Sequence, residues 1–278
     1  MTTGSIPLAA VIGSPIAHSL SPRVHGYWLR KYQIPGYYIP IGLSRDHFAK
    51  GIDALVRLGF KGANVTLPFK ETSLAFADVI TDQAALIGAA NTLTFRKDGR
   101  IQADNTDGYG FVANIRQRAP DWNARSAPAM VIGAGGASRA IISALLNEGV
   151  PEILLVNRTR SRAEMLAEHF GARISVVDWT RAPSAMAGIG TLVNTTSLGM
   201  EGEPPLNIPL DHLRKTTLVT DIVYTPLETP LLIEAKKRGC VTVDGLGMLL
   251  HQAVPGFESW FGVRPEVDDA LRQEVLRK

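Results

Sequence analysis

The residue types able to do chemistry gather in a few short stretches. The run Val131-Ile132-Gly133-Ala134-Gly135-Gly136-Ala137-Ser138 follows an apolar strand-like segment and opens a helix-like one. Gly133 there permits a tight turn, while Gly135 and Gly136 leave room for the backbone to approach a pyrophosphate on the helix N-terminus. The third fingerprint glycine is absent and Ser138 holds its place. Taken alone, the cluster also reads as a bare tight turn. What favours a dinucleotide is that strand, turn, helix and second strand arrive in order. The second strand ends at Val156, where an NAD site wants an acidic side chain about 20 residues past the glycines. Asn157-Arg158-Thr159-Arg160-Ser161-Arg162 stands there instead. Guanidinium and hydroxyl groups suit the 2′-phosphate of NADP through charge-assisted hydrogen bonds. A solvated helix start is the bland alternative, and it sets arginines against the helix dipole.

A second group of polar clusters lies in the first half. They are His18-Ser19-Leu20-Ser21-Pro22, the run from Asn64 through Thr66 and Pro68 to Lys70, Asn91-Thr92 after two alanines, and Asp104-Asn105-Thr106-Asp107-Gly108. Asn64 and Thr66, two apart on a strand, share a face. Lys70 and Asp107 offer an ammonium and a carboxylate. Hydride addition to a ketone creates alkoxide charge, which a positioned ammonium neutralises as it forms while a carboxylate orients the same hydroxyl. In the reverse direction a lysine of ordinary pKa, about 10.4, would need desolvation or a cationic neighbour to act as a base. Each residue has a plainer reading: Ser21 as a helix N-cap before Pro22, Asp107 as the cap of the following helix, Lys70 as a surface lysine. The six histidines show no metal-ligand spacing, and a lone Cys240 excludes both an internal disulfide and a cysteine-rich zinc site.

The elements that must position these residues follow from periodicity. In the first half, 8–13, 37–42 and 62–68 read as strands. Helices are predicted from Ser21 to about Lys31, over 44–59 (Phe48, Ile52, Leu55 and Leu58 at spacing three to four), and from about Lys70. Residues 91–95 and 100–104 read as a hairpin around Lys97-Asp98-Gly99. After a polar break at 120–128, strands at 129–133, 152–157, 174–178, 190–195, 218–223 and 240–244 come with helices near 136–147 and 161–170. That rhythm predicts a parallel, doubly wound sheet, and the chain from Gly245 on reads as helical.

Composition bounds the alternatives. At 278 residues two domains is the first expectation. A hydrophobic fraction of 45% with 20% charged residues excludes a disordered or collagen-like chain. No apolar stretch approaches the ~20 residues of a membrane span, and no signal peptide is legible. A net charge of +3 with scattered Lys and Arg gives no nucleic-acid stripe, so neither a nucleic-acid nor a membrane partner is expected. A reducing cytoplasm fits the cysteine usage.

Together the stretches HSLSP (18–22), NVTLPFK (64–70), AANTL (89–93), DNTDGYGF (104–111), GAGGASRA (133–140), NRTRSR (157–162) and DGLGMLLHQA (244–253) strongly resemble the shikimate/quinate dehydrogenase family. The match runs in order over roughly residues 8–260. The resemblance implies reversible, NADPH-dependent reduction of 3-dehydroshikimate to shikimate, on the way to aromatic amino acids. It implies an α/β substrate domain (1–106, completed by helices in 246–278) and a Rossmann-type domain (107–245), with the active site in the cleft between them and a hinge at the crossings. Carried over by position, Ser19 and Ser21 would bind the substrate carboxylate. Asn64, Thr66, Asn91 and Gln252 would hold ring hydroxyls or the carboxylate, with Tyr224 nearby. Lys70 and Asp107 would form the catalytic pair. Gly133, Ala134, Gly135, Gly136, Ala137, Asn157, Arg158, Thr159, Arg162, Thr195, Ile222 and Gly245 would line the cofactor, with Asp82 on the cofactor side. No metal is implied, and the protein would be a monomer or homodimer. Leu20 stands where many members have lysine, and Ile222 where some have methionine. The serine motif also occurs in quinate-using members, which keeps quinate as a further substrate. The other readings are a non-catalytic NADPH-binding sensor and, more distantly, a nucleic-acid binder.

Overall fold

Period-two apolar runs become strands and amphipathic runs become helices in a computed structural model that describes residues 6–277. The chain divides into two compact units. One comprises the chain up to Thr106 together with the chain from Leu250 onward, and the other is Asp107–Leu249.

In the first unit β1 (Leu8–Gly13), α1 (Ser21–Lys31), β2 (Tyr37–Gly42), α2 (Phe48–Arg57) and β3 (Gly62–Val65) are followed by β4 (Val79–Ile80), α3 (Asp82–Ile87), β5 (Thr92–Phe95) and β6 (Ile101–Asp104). They build a six-stranded sheet of order β2-β1-β3-β5-β6-β4. β1 runs parallel to β2 and β3, whereas β5 runs antiparallel to β3 and β6. The β5–β6 hairpin turns at Gly99, whose φ of 82° favours glycine.

Several expectations are corrected here. The third strand is shorter than expected and ends at Val65, three residues before Pro68, although the Thr66 amide still donates to the Ile12 carbonyl of β1 at 2.9 Å. The helix expected from Lys70 is a single short 3-10 segment, Thr72–Phe76. Leu58 is 69% exposed, because α2 ends at Arg57 and the chain turns at Gly59. Ser21 does not cap α1: Leu20 holds the N-cap position, no side chain caps it, and Ser21 is itself the first helical residue.

The second unit holds α4 (Asp107–Arg118), β7 (Ala129–Ile132), α5 (Gly136–Asn147), β8 (Ile153–Val156), α6 (Arg160–Phe170) and β9 (Ile174–Val177). It continues with α7 (Ala182–Ala185), β10 (Thr191–Asn194), β11 (Leu218–Asp221), α8 (Pro230–Lys237), β12 (Val241–Val243) and α9 (Leu246–Phe261), with α10 (Asp269–Leu276) closing the chain. The sheet order is β12-β11-β10-β7-β8-β9 and every pairing is parallel. Alternate residues of β7 feed the two faces: Ala129 and Val131 join one apolar cluster, Met130 and Ile132 the other. The unit boundary falls inside α9, whose later turns carry Phe257 and Trp260 against the first unit's His25 and Tyr38.

Candidate active site

In the first unit, side chains from four separate segments meet in one hydrogen-bonded cluster. Asn64 on β3 lies directly opposite Thr92 on β5, and its Nδ2 donates to Thr92 Oγ1 and to the Asn91 carbonyl, each at 3.2 Å. Thr92 Oγ1 donates in turn to Asn91 Oδ1 at 2.9 Å. Asn91 Nδ2 donates to Thr106 Oγ1 at 3.0 Å and to Gln252 Oε1 on α9 at 3.2 Å. Thr106 closes the ring, its amide donating to Asn91 Oδ1 at 2.9 Å and its hydroxyl to the Gln252 carbonyl at 2.8 Å. Asn64, Asn91, Thr92 and Thr106 are all buried. Burying this much polarity is tolerable only because nearly every donor and acceptor is matched.

Lys70 is half-buried next to this cluster. Its carbonyl accepts from the Ala90 amide at 2.8 Å and from Ser73 Oγ at 2.9 Å, which holds its backbone beside Asn91. Ser19 turns its Oγ toward the Ser21 amide, 3.3 Å away, at the start of α1. Asp82 is an exposed carboxylate in the first turn of α3, where it suits the helix dipole, and Thr81 caps that helix through the Ala84 amide. Sequence reasoning assigned nothing to Thr92, and nothing specific to Thr106 within its polar turn. Neither has a spacing signal: strand register places Thr92, and the turn between β6 and α4 places Thr106.

In the second unit the glycine turn follows β7, and Thr195 follows β10. These neighbouring strands are where the sheet's winding reverses, and ligands of doubly wound sheets bind at that point. Gly133 has φ 112°, and a Cβ there would lie 2.6 Å from Thr195 Oγ1. Thr195 itself donates to the Ile132 carbonyl at 2.8 Å. The Ala134 amide donates to Asn157 Oδ1 at 3.2 Å, and Asn157 Nδ2 donates to the Thr159 carbonyl at 2.8 Å. Asn157 therefore ties the glycine turn to the loop after β8. A Cβ added at Gly135 or Gly136 would meet nothing within 4 Å. The bare backbone at the start of α5 thus faces open space, the cradle a pyrophosphate needs.

The arginines after β8 divide in two. Arg160 is committed to Glu164 at 2.7 Å and Asp178 at 2.5 Å. Arg158 and Arg162 are exposed, and among the described residues neither is engaged by an acid. Two unspent guanidiniums beside the glycine turn fit a 2′-phosphate, and the run from Asn157 to Arg162 holds no acid to take a 2′-hydroxyl.

Asp107 opens α4 and is buried, a carboxylate at the positive end of a helix. Buried Asp221 accepts from Asn194 Nδ2 and the Val223 amide, each at 3.0 Å, and from Thr229 Oγ1 at 2.7 Å, and burial pushes its pKa up. That carboxylate locks together the loops after β10 and β11, which carry Thr195, Ile222 and Tyr224. Burial likewise raises the Tyr224 phenol. Gly245 packs so tightly that a Cβ there would collide with the Ile222 carbonyl oxygen. Among the described residues, no three His, Cys, Asp or Glu side chains gather as a metal site, and no helix is long and apolar enough to cross a membrane.

Residues 11–93 match the family described as shikimate dehydrogenase substrate binding domain, 115–198 match shikimate / quinate 5-dehydrogenase, and 245–273 match the shikimate 5′-dehydrogenase C-terminal domain. A shikimate dehydrogenase (NADP(+)) of Paracoccus denitrificans is 62% identical over 97% of this chain and 96% of its own length. One from Cereibacter sphaeroides is 61% identical over 98% of this chain and 97% of its own. Among solved structures, shikimate 5-dehydrogenase of Thermus thermophilus in complex with NADP(H) and shikimate is 35% identical. It superposes with a TM-score of 0.86 over 97% of this chain and 98% of its own. Quinate dehydrogenase of Corynebacterium glutamicum in complex with NAD is 31% identical, with a TM-score of 0.90 over 98% of this chain and 99% of its own.

Proposed function

This chain belongs to the shikimate dehydrogenase family, and on that footing we propose how its residues carry the reaction. It is an NADP-dependent oxidoreductase that reversibly reduces 3-dehydroshikimate to shikimate in aromatic biosynthesis. Reduction turns a ketone into an alcohol and consumes one hydride and one proton. NADPH, when bound, supplies the hydride.

The protein supplies the proton and the geometry. The Lys70 ammonium protonates the carbonyl oxygen as charge develops on it, and Asp107 accepts a hydrogen bond from the hydroxyl that results. Ser19 and Ser21 bind the ring carboxylate. Asn64, Thr66, Asn91 and Gln252 take the hydroxyls that do not react, and Tyr224 lies by the substrate. The turn from Gly133 to Ala137 holds the pyrophosphate on backbone N–H groups, Arg158, Thr159 and Arg162 hold the 2′-phosphate, and Ile222 and Gly245 border the nicotinamide half.

The observation that carries this reading is the first unit's cluster, in which Asn64, Asn91 and Gln252, far apart in sequence, share one network. An NADPH sensor that had only kept the fold would have no use for it. We place the enzyme in the cytoplasm, as a monomer or homodimer, which gel filtration decides. The central test follows NADP⁺ reduction with shikimate, with quinate and NAD⁺ assayed beside it. Rapid turnover of shikimate with NADP⁺ is expected, and a folded protein without it overturns the reading.

A further inference from the structure

Tyr38 on β2 and His25 on α1 belong to no motif of the sequence, yet both are buried together in the first unit. The Tyr38 ring stacks face to face on the His25 ring, with centroids 3.8 Å apart and planes 2° apart. Trp260 closes on it at 6.2 Å. Held this way, the ring has no freedom to swing, and its hydroxyl donates to Asn64 Oδ1 at 2.7 Å. A phenol has one proton, and here it goes to Asn64.

The amide of Asn64 is therefore almost spent. Both of its N–H groups are used, on the Asn91 carbonyl and Thr92 Oγ1, and one lone pair of Oδ1 faces Tyr38. What Asn64 has left is a single carbonyl lone pair. It can accept from a ligand hydroxyl and cannot donate to a carboxylate. Tyr38 supplies the buried donor to that oxygen, and without it the amide is held from its nitrogen side alone and its carbonyl oxygen loses a buried partner.

We propose that Tyr38, seated on His25, is a positioning residue for substrate recognition: its hydroxyl supports Asn64 as a pure acceptor for a non-reacting ring hydroxyl. This rests on the reading of Asn64 as a substrate contact. The residue acts through its neighbours and touches neither substrate nor cofactor.

The test is Tyr38→Phe, which keeps the ring and its stack and deletes only the oxygen. Loss of one buried hydrogen bond that orders the site should raise the KM for shikimate about five- to tenfold. The kcat and the KM for NADP⁺ should stay within about twofold, since the substitution removes ground-state and transition-state binding alike. The decisive readout is discrimination against 4-deoxyshikimate and 5-deoxyshikimate. The wild type should reject the analogue lacking the accepted hydroxyl, and Tyr38→Phe should lose most of that preference. A merely structural role would lower Tm and leave the preference intact. A folded Tyr38→Phe with unchanged KM or unchanged preference overturns the proposal. Should that variant fail to fold, Thr92→Val frees the same amide from its other side, and an unchanged preference there overturns it equally. Wild-type protein inactive on shikimate would instead defeat the reading of function, so the two failures are distinguishable.

Discussion

His25 should make this protein acid-sensitive well above the carboxylate range. The side chain is fully buried, surrounded by the rings of Trp28, Tyr38, Phe257 and Trp260, and neither ring nitrogen has a well-formed hydrogen bond. Burial pushes its pKa from 6.5 down to about 3, and the side chain of Asn64 opposes that shift only in part. Between these two values the unfolded chain binds a proton that the folded protein refuses. Stability therefore rises with pH across this window and falls as the solution is acidified below 6.5. The slope approaches 1.36 kcal/mol per pH unit, so acidification from about pH 7 to about pH 4.5 should cost about 2.5 kcal/mol through this one group. Over the same range the Arg100 guanidinium keeps Asp98 ionised below the usual carboxylate pKa, a contribution that is the same with or without His25. The assay is urea unfolding of wild type and His25→Phe at stepped pH. The difference between the two stabilities should shift by about 2.5 kcal/mol from the neutral to the acid end, with the wild type losing more. Parallel curves would show that His25 titrates normally, and the account of a neutral, unsatisfied imidazole beneath Tyr38 would be wrong.

Other outcomes follow from the second unit and from Lys70. Replacing Arg158 and Arg162 with serine should raise the KM for NADPH about 10- to 100-fold, the loss of charge-assisted bonds, and barely change that for NADH. Arg160→Ser, which removes a guanidinium already paired with Glu164 and Asp178, should change neither appreciably. Equal effects on both cofactors would refute the 2′-phosphate assignment. Gly133→Ala should destabilise by at least about 1–2 kcal/mol from its left-handed backbone alone, read as a lower urea midpoint. Gly135→Ala, whose Cβ meets nothing within 4 Å, should fold normally and lose NADPH affinity. Lys70→Ala should lower kcat by about 10²–10⁴-fold with a much smaller change in KM, and undiminished turnover would end its role as proton donor.

Much of the architecture was legible because alternation and turn residues are local signals. The strands of the second unit lie where apolar runs of four to six residues end in Gly, Asn or Asp, and the glycine turn follows β7 as its context required. The elements that escaped are the two-residue β4, the six-residue α3, the four-residue α7 and α8, all too short or too mixed in pattern to show a period. Ser21 shows how a sound local rule fails. Serine before proline favours an N-cap, but Leu20 takes that position and Ser21 is the first helical residue, its amide donating to Ser19 Oγ at 3.3 Å.

Most members of the polar cluster could be named from the sequence, but how they pair could not, because that is set by register. Asn64 meets Thr92 because β3 and β5 pair antiparallel with Ala63 opposite Leu93 and Asn64 opposite Thr92. β3 is in turn set against β1, with Val11 beside Asn64 and Ile12 beside Val65. A slip of one residue in β3 would turn Asn64 to the opposite face and bring Ala63 or Val65, both fully apolar, to the site. The force against that slip is burial of Ala63 and Val65 in the apolar cluster with Phe48, Phe69 and Leu93 on the far face. The side chains that hold Asn64 in register are thus not those it bonds to. Under the role proposed for Asn64, substitutions at Ala63 or Val65 should therefore damage substrate affinity through register alone.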